Sequence, residues 1–142
     1  MSHVLPSAGS LGARIVGLDL AAPLSRADFA LVLRAVADHG VVCFPGQRLD
    51  PAAQVAFSRQ FGTLEVHVSG AFQVPDHPEV MILSNMVENG RPIGLADAGQ
   101  DWHTDMSFSR TIAFVNVLHA VKVPRRDGRV LGDTLFADMA AA

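Results

Sequence analysis

One cysteine in 142 residues excludes an internal disulfide. Cys43 lies in the apolar run Val41-Val42-Cys43-Phe44, so it reads as a small buried hydrophobe in a reducing compartment. No apolar run approaches the roughly 20 residues that a membrane-spanning helix needs, and no apolar stretch preceded by positive charge opens the chain. A cytoplasmic protein without a membrane partner is expected. Basic residues are also few, 11 Lys and Arg against 14 Asp and Glu for a net charge of −3, and they are scattered apart from Arg125, Arg126 and Arg129. The footprint of a nucleic-acid binder is therefore missing, and the Arg cluster is expected on a solvated turn around Asp127-Gly128. Internal repeats and low-complexity segments are lacking too. What is present is ordinary globular composition, 49% hydrophobic and 18% charged, enough for a single domain over residues 1–142.

Residues 1–10 are small, polar and proline-containing, and are expected to fray. Ala13-Arg14-Ile15-Val16 reads as a first strand ended by Gly17. Ser25 with Asp28 three residues later is like a capping box, and Phe29, Val32, Leu33 and Val36 recur at helical spacing up to Gly40. Residues 26–39 are thus predicted helical. Residues 41–44 read as a short buried strand closed by Pro45-Gly46. Asp50 then caps a second helix with Pro51 in its first position, and Val55, Phe57 and Phe61 carry it to Gly62. Beyond it the pattern turns to strands, over residues 80–83, 102–108, 111–123 and 134–136, with a turn at Asn89-Gly90 inside a long loop over residues 86–101. Residues 111–123 are β-branched and apolar on both faces, which predicts a well-covered strand. A helical layer followed by mostly antiparallel strands makes an α+β chain.

The chemistry-bearing stretch is Trp102-His103-Thr104-Asp105. Side chains alternate along a strand, so His103 and Asp105 would share a face and grip one ion. An imidazole and a carboxylate with open positions left over are two members of the 2-His-1-carboxylate triad that suits non-haem iron(II) oxygenases. The third ligand is not obvious. Six His and eleven Asp in this length give roughly 0.5 His-x-Asp pairs by chance, and His77-Pro78-Glu79 offers the same two groups at the same spacing. At this level a metal pair and a hydrogen-bonded polar pair at a strand start both fit.

The run Gly99-Gln100-Asp101-Trp102-His103-Thr104-Asp105-Met106-Ser107-Phe108 resembles the metal-binding segment of the taurine dioxygenase / 2,4-dichlorophenoxyacetate dioxygenase family of iron(II)- and 2-oxoglutarate-dependent oxygenases. Leu11-Gly12-Ala13-Arg14-Ile15-Val16-Gly17, His39-Gly40-Val41-Val42-Cys43-Phe44, Phe57-Ser58-Arg59-Gln60-Phe61-Gly62 and Gly132-Asp133-Thr134-Leu135-Phe136 follow the family's order and spacing. Several ordered segments agreeing carry far more weight than one pair. The resemblance implies His103 and Asp105 as iron ligands, Thr134 as a hydroxyl donor to a carboxylate of 2-oxoglutarate, and His67 on the substrate side. It also implies a double-stranded β-helix, or jelly roll, with flanking helices. The reaction would couple oxidative decarboxylation of 2-oxoglutarate, to succinate and carbon dioxide, to hydroxylation of a small organic substrate by oxygen. Asp101, Gln100 and Thr104 are near enough to orient the imidazole.

Family members carry a second His ligand and an Arg clamp for 2-oxoglutarate well beyond the Gly-Asp-Thr segment, whereas this sequence ends eight residues after Thr134. A jelly roll needs about eight strands, so the reading here is the N-terminal part of one, an incomplete barrel. Ala98 and Gly99 stand where relatives place Asn-type substrate donors, which argues against taurine itself. Either the chain is the first half of an oxygenase, completed by further sequence, a second copy or another chain, or it is a non-catalytic remnant with weak metal affinity. Alkyl sulfonates, sulfate esters and aryloxy acids all suit as substrates.

Overall fold

The computed structural model describes residues 1–67 and 70–142. In chain order they form β1 (His3–Pro6), β2 (Ala13–Val16), α1 (Arg26–His39), β3 (Val42–Cys43), α2 (Pro51–Ser58) with a 3-10 turn (Arg59–Phe61), β4 (Gln73–Val74), β5 (His77–Met81), β6 (Val87–Glu88), β7 (Arg91–Pro92), β8 (Arg125–Arg126) and β9 (Arg129–Val130). The chain divides into two units, one made of Met1–Leu49 with His119–Ala142, the other of Asp50–Leu118.

In the first unit β2 is the central strand, antiparallel to β1 and parallel to β3. The expected fraying of residues 1–10 is corrected here: His3, Val4, Leu5 and Pro6 pair with Val16, Ile15, Arg14 and Ala13, and the ladder offsets the chain entropy that composition alone suggested. The inward residues of β2, Ala13 and Ile15, are buried, as are Val32 and Ala35 of α1, which packs against β2, and Leu20. Cys43 is exposed, not buried, because β3 is a two-residue strand at the sheet edge with only Ala13 and Arg14 as partners. Near the other end, Asp127 (φ 50°) and Gly128 (φ 78°) make the two-residue turn of the β8–β9 hairpin, and its arginines are exposed.

Gly17 shows where backbone freedom is needed. Its φ is 82°, and a Cβ there would lie 2.7 Å from the Met1 carbonyl oxygen. Gly17→Ala is expected to cost about 1–2 kcal/mol from the left-handed backbone alone, with the overlap on the Met1 backbone in addition. A lowered urea midpoint at unchanged slope would show it.

α1 starts as its sequence predicts. Ser25 Oγ accepts from the Asp28 backbone N–H at 3.1 Å, and Asp28 in turn accepts from Ser25 Oγ (2.7 Å) and Ser2 Oγ (2.6 Å). Donation from Ser2, then from Ser25, holds the Asp28 carboxyl below its ordinary range. A depressed carboxylate stabilises the fold above its unfolded pKa of about 3.9, and that contribution fades as pH falls through the folded value. Asp28→Asn is therefore expected to flatten the loss of stability below about pH 4, read from urea midpoints across that window.

In the second unit α2 is capped by Asp50, whose carboxylate accepts from Ala53 N at 2.7 Å, with Pro51 at its start. Val55 and Phe57 are buried, and Phe57 meets Phe61 edge to face at 5.4 Å. Arg59 Nη2 donates to Glu79 Oε1 of β5 at 2.8 Å, joining the helical turn to the β4–β5 ribbon. The expected strand over residues 80–83 is shifted earlier, to His77–Met81. The turn at Asn89-Gly90 is present between β6 and β7.

Three expected strands are corrected. Residues 102–108 form coil and a turn, residues 111–123 enter no ladder, and residues 134–136 are coil. β propensity and an apolar pattern favour a strand only where a partner strand satisfies the backbone, and none is supplied among the described residues. The outcome is a small α+β arrangement of one three-stranded sheet and three two-stranded ones. No helix is long and apolar enough to cross a membrane among the described residues.

Candidate metal centre

Residues 102–108 reach the geometry expected of a strand by another route. His103 and Thr104 are coil outside any ladder, and His103 Nε2 lies 3.2 Å from Asp105 Oδ1, just before the chain turns over residues 105–108 with Met106 in the left-handed region (φ 59°). Both side chains are about half exposed, 52% and 53%. Behind the ring, His103 Nδ1 lies 2.7 Å from the Asp101 carbonyl oxygen. A carbonyl only accepts, so Nδ1 carries the proton and the Nε2 lone pair faces the carboxylate. Two electron-rich atoms so placed are complementary to a positive charge, whether a proton on Nε2 or a shared metal ion. Two donors at right angles, each about 2.1 Å from one ion, stand about 3.0 Å apart, so the observed separation suits an adjacent ligand pair.

The rest of the surroundings follow the chain closely. Gly99 has φ 74°, and a Cβ on it would lie 3.2 Å from His103 Cε1, so the ring approaches bare backbone there. Of the three residues expected to orient the imidazole, Asp101 does so through its carbonyl, while Gln100 Nε2 donates to Asp97 Oδ1 at 3.0 Å. Asn116 was not foreseen: its Nδ2 donates to Asp105 Oδ2 at 2.9 Å from eleven residues away. No short-range spacing flags such a partner. A polar residue interrupting the apolar run 111–123 was the available signal.

The other candidates are placed as follows. Thr134 is exposed coil in the first unit, and His67 is exposed in the second, its carbonyl accepting from Gln73 Nε2 at 3.1 Å. Next to His67, Val66 joins Arg59, Gly62, Thr63, Leu64 and Glu79 around an open hollow of about 520 Å³. The competing His77-Pro78-Glu79 motif is committed elsewhere: a hydrogen bond from its own backbone N–H, and then the Arg59 guanidinium, hold the Glu79 carboxyl below its ordinary range. No group of three His, Cys, Asp or Glu able to hold a metal occurs among the described residues. His103 and Asp105 thus fit as two of an ion's ligands, with the remaining positions open.

Residues 3–142 match the model of the taurine catabolism dioxygenase TauD, TfdA family. The chain belongs to that family. Among curated relatives of this TauD/TfdA chain, pentalenolactone F synthase of Streptomyces avermitilis is 34% identical over 94% of the chain and 44% of its own length. The (S)-phenoxypropionate/alpha-ketoglutarate-dioxygenase of Delftia acidovorans is 31% identical over 99% and 47%. The alpha-ketoglutarate-dependent sulfate ester dioxygenase of Pseudomonas putida is 30% identical over 98% and 42%. The TauD/TfdA chain therefore spans less than half the length of these relatives. A crystal structure of a candidate alpha-ketoglutarate-dependent taurine dioxygenase from Burkholderia xenovorans superposes with TM-score 0.56 at 34% identity, covering 62% of this chain and 32% of that one. That neighbour fits the jelly-roll class, while the described pairings, a three-stranded sheet and three two-stranded ones, stop short of a barrel.

Proposed function

We propose that this chain is the metal-holding part of an iron(II)- and 2-oxoglutarate-dependent dioxygenase that hydroxylates a small organic anion. The observation that carries the reading is the 3.2 Å approach of His103 Nε2 to Asp105 Oδ1, with the ring tautomer set by Asp101, in a member of the TauD/TfdA family. His103 and Asp105 would hold iron(II), which when bound supplies the redox chemistry that couples decarboxylation of 2-oxoglutarate to substrate hydroxylation. Thr134 would donate its hydroxyl to a carboxylate of 2-oxoglutarate, and His67 would face the substrate. Relatives named for phenoxypropionate and for sulfate esters support an anionic substrate of the aryloxy acid, sulfate ester or sulfonate class.

A second reading, a non-catalytic half-domain with weak metal affinity, is favoured by the lack of a third His, Cys, Asp or Glu at the pair among the described residues. Succinate release from 2-oxoglutarate, with iron(II) and oxygen, separates the two. The 142-residue chain alone is expected to release none above a metal-free control, because positioning of the oxo-acid supplies much of the rate and only Thr134 is offered for it. Iron-dependent succinate release by the chain would overturn the second reading. A longer polypeptide that includes the matching second half of the relatives is expected to release it.

A further inference from the structure

We infer that Asn116 is a positioning residue that keeps Asp105 a one-oxygen ligand. This rests on the metal reading of His103 and Asp105 and goes beyond it. The two carboxylate oxygens of Asp105 have different partners: Oδ1 is 3.2 Å from His103 Nε2, and Oδ2 accepts from Asn116 Nδ2 at 2.9 Å. Only the amide nitrogen can donate to a carboxylate, so the Asn116 side chain has one useful orientation here. Free rotation of the half-exposed Asp105 about its last side-chain bond would present either oxygen, or both, to an ion. The amide removes that freedom by engaging one of them. An oxygenase of this class needs open coordination positions for its co-substrates, and a carboxylate bound through both oxygens would consume one.

Asn116 can hold this post because its own segment is anchored. Gln54 Nε2 of α2 donates to the Val117 carbonyl at 3.2 Å, so the backbone next to Asn116 is tied to the helix while its side chain reaches Asp105. The imidazole is held from behind by the Asp101 carbonyl, and the carboxylate from behind by the Asn116 amide. Each ligand thus has one outer partner and one atom directed at the other ligand.

Asn116→Leu and Asn116→Ala are the test, in the 142-residue chain. Asn116→Leu keeps the shape and loses the donor without adding charge, so a space-filling role predicts no change from it. Cobalt(II) titration, followed by its visible absorption, is expected to show both variants weakened about 10–100-fold, the loss that removing an outer partner of a ligand typically brings. The band shape at saturation is expected to change as well, because the ligand count changes. A metal-free arm reads the contact itself: the Asn116 side-chain amide resonances should shift on Asp105→Ala and stay fixed on His77→Ala. Unchanged cobalt affinity and band shape in both variants overturn the role of Asn116 while leaving the metal reading in place. No saturable cobalt uptake by the parent chain overturns the metal reading and the role of Asn116 together. Equal thermal midpoints of parent and variants are expected, since the side chain is exposed.

Discussion

Replacing either His103 or Asp105 with Ala is expected to abolish saturable metal binding. The two donors lie two residues apart in the chain and 3.2 Å apart in space, with no further His, Cys, Asp or Glu grouped with them among the described residues. Deleting one leaves an ion held by a single exposed group and otherwise by water. The loss should exceed the roughly 10–100-fold that follows from removing an outer partner, because a donor itself is gone. Iron(II) or cobalt(II) titration under nitrogen reads the effect. His77→Ala is the control and should bind as the parent does, its neighbour Glu79 being engaged by Arg59. Tight binding that survives His103→Ala would place the centre elsewhere.

How the sequence reads against the structure depends on the range of the forces involved. α1 and α2 were legible because caps and helical periodicity act within a few residues: Ser25, Asp28, Gly40, Asp50 and Pro51 occupy the positions their chemistry predicts. The two-residue turns at Asn89-Gly90 and Asp127-Gly128 were legible for the same reason. Strands at residues 102–108, 111–123 and 134–136 were not, because a strand is a property of two segments and the pattern of one says nothing of its partner. The error ran the other way at His3–Pro6, where unremarkable residues are held by the more apolar β2. At the site, the spacing of His103 and Asp105 pointed to a shared position, and the two meet at 3.2 Å although the segment is coil running into a turn and pairs in no ladder among the described residues. The Asp105 to Asn116 contact spans eleven residues and lay beyond any local rule.

The apolar segment that failed to become a strand carries the other large expected effect. Along residues 112–118, Val115 and Val117 are half-buried, while Ile112, Phe114 and Leu118 are 70%, 69% and 68% exposed. Ala113 is exposed as well, so the alternation holds over residues 114–118, the burial pattern of a short strand with one face covered, yet no ladder pairs it among the described residues. Covering an exposed side chain of this size contributes about 1.5–3 kcal/mol, so three of them from each of two copies contribute roughly 9–18 kcal/mol. Association itself costs about 4–15 kcal/mol. The balance lies close enough to favour pairing at working concentrations, and backbone that enters no ladder among the described residues adds a template for it. The purified chain is therefore expected to elute as dimers or larger species, with a concentration-dependent mass by light scattering. Phe114→Lys with Leu118→Lys should return it to a monomer by placing like charges on the same edge. That double variant leaves His103, Asp105 and Asn116 unaltered, so its metal affinity should stay near that of the parent. A parent chain that is monomeric across the concentration range would show that the exposed face is not sticky enough to pair, and that burial of these three side chains is worth less than the cost of association.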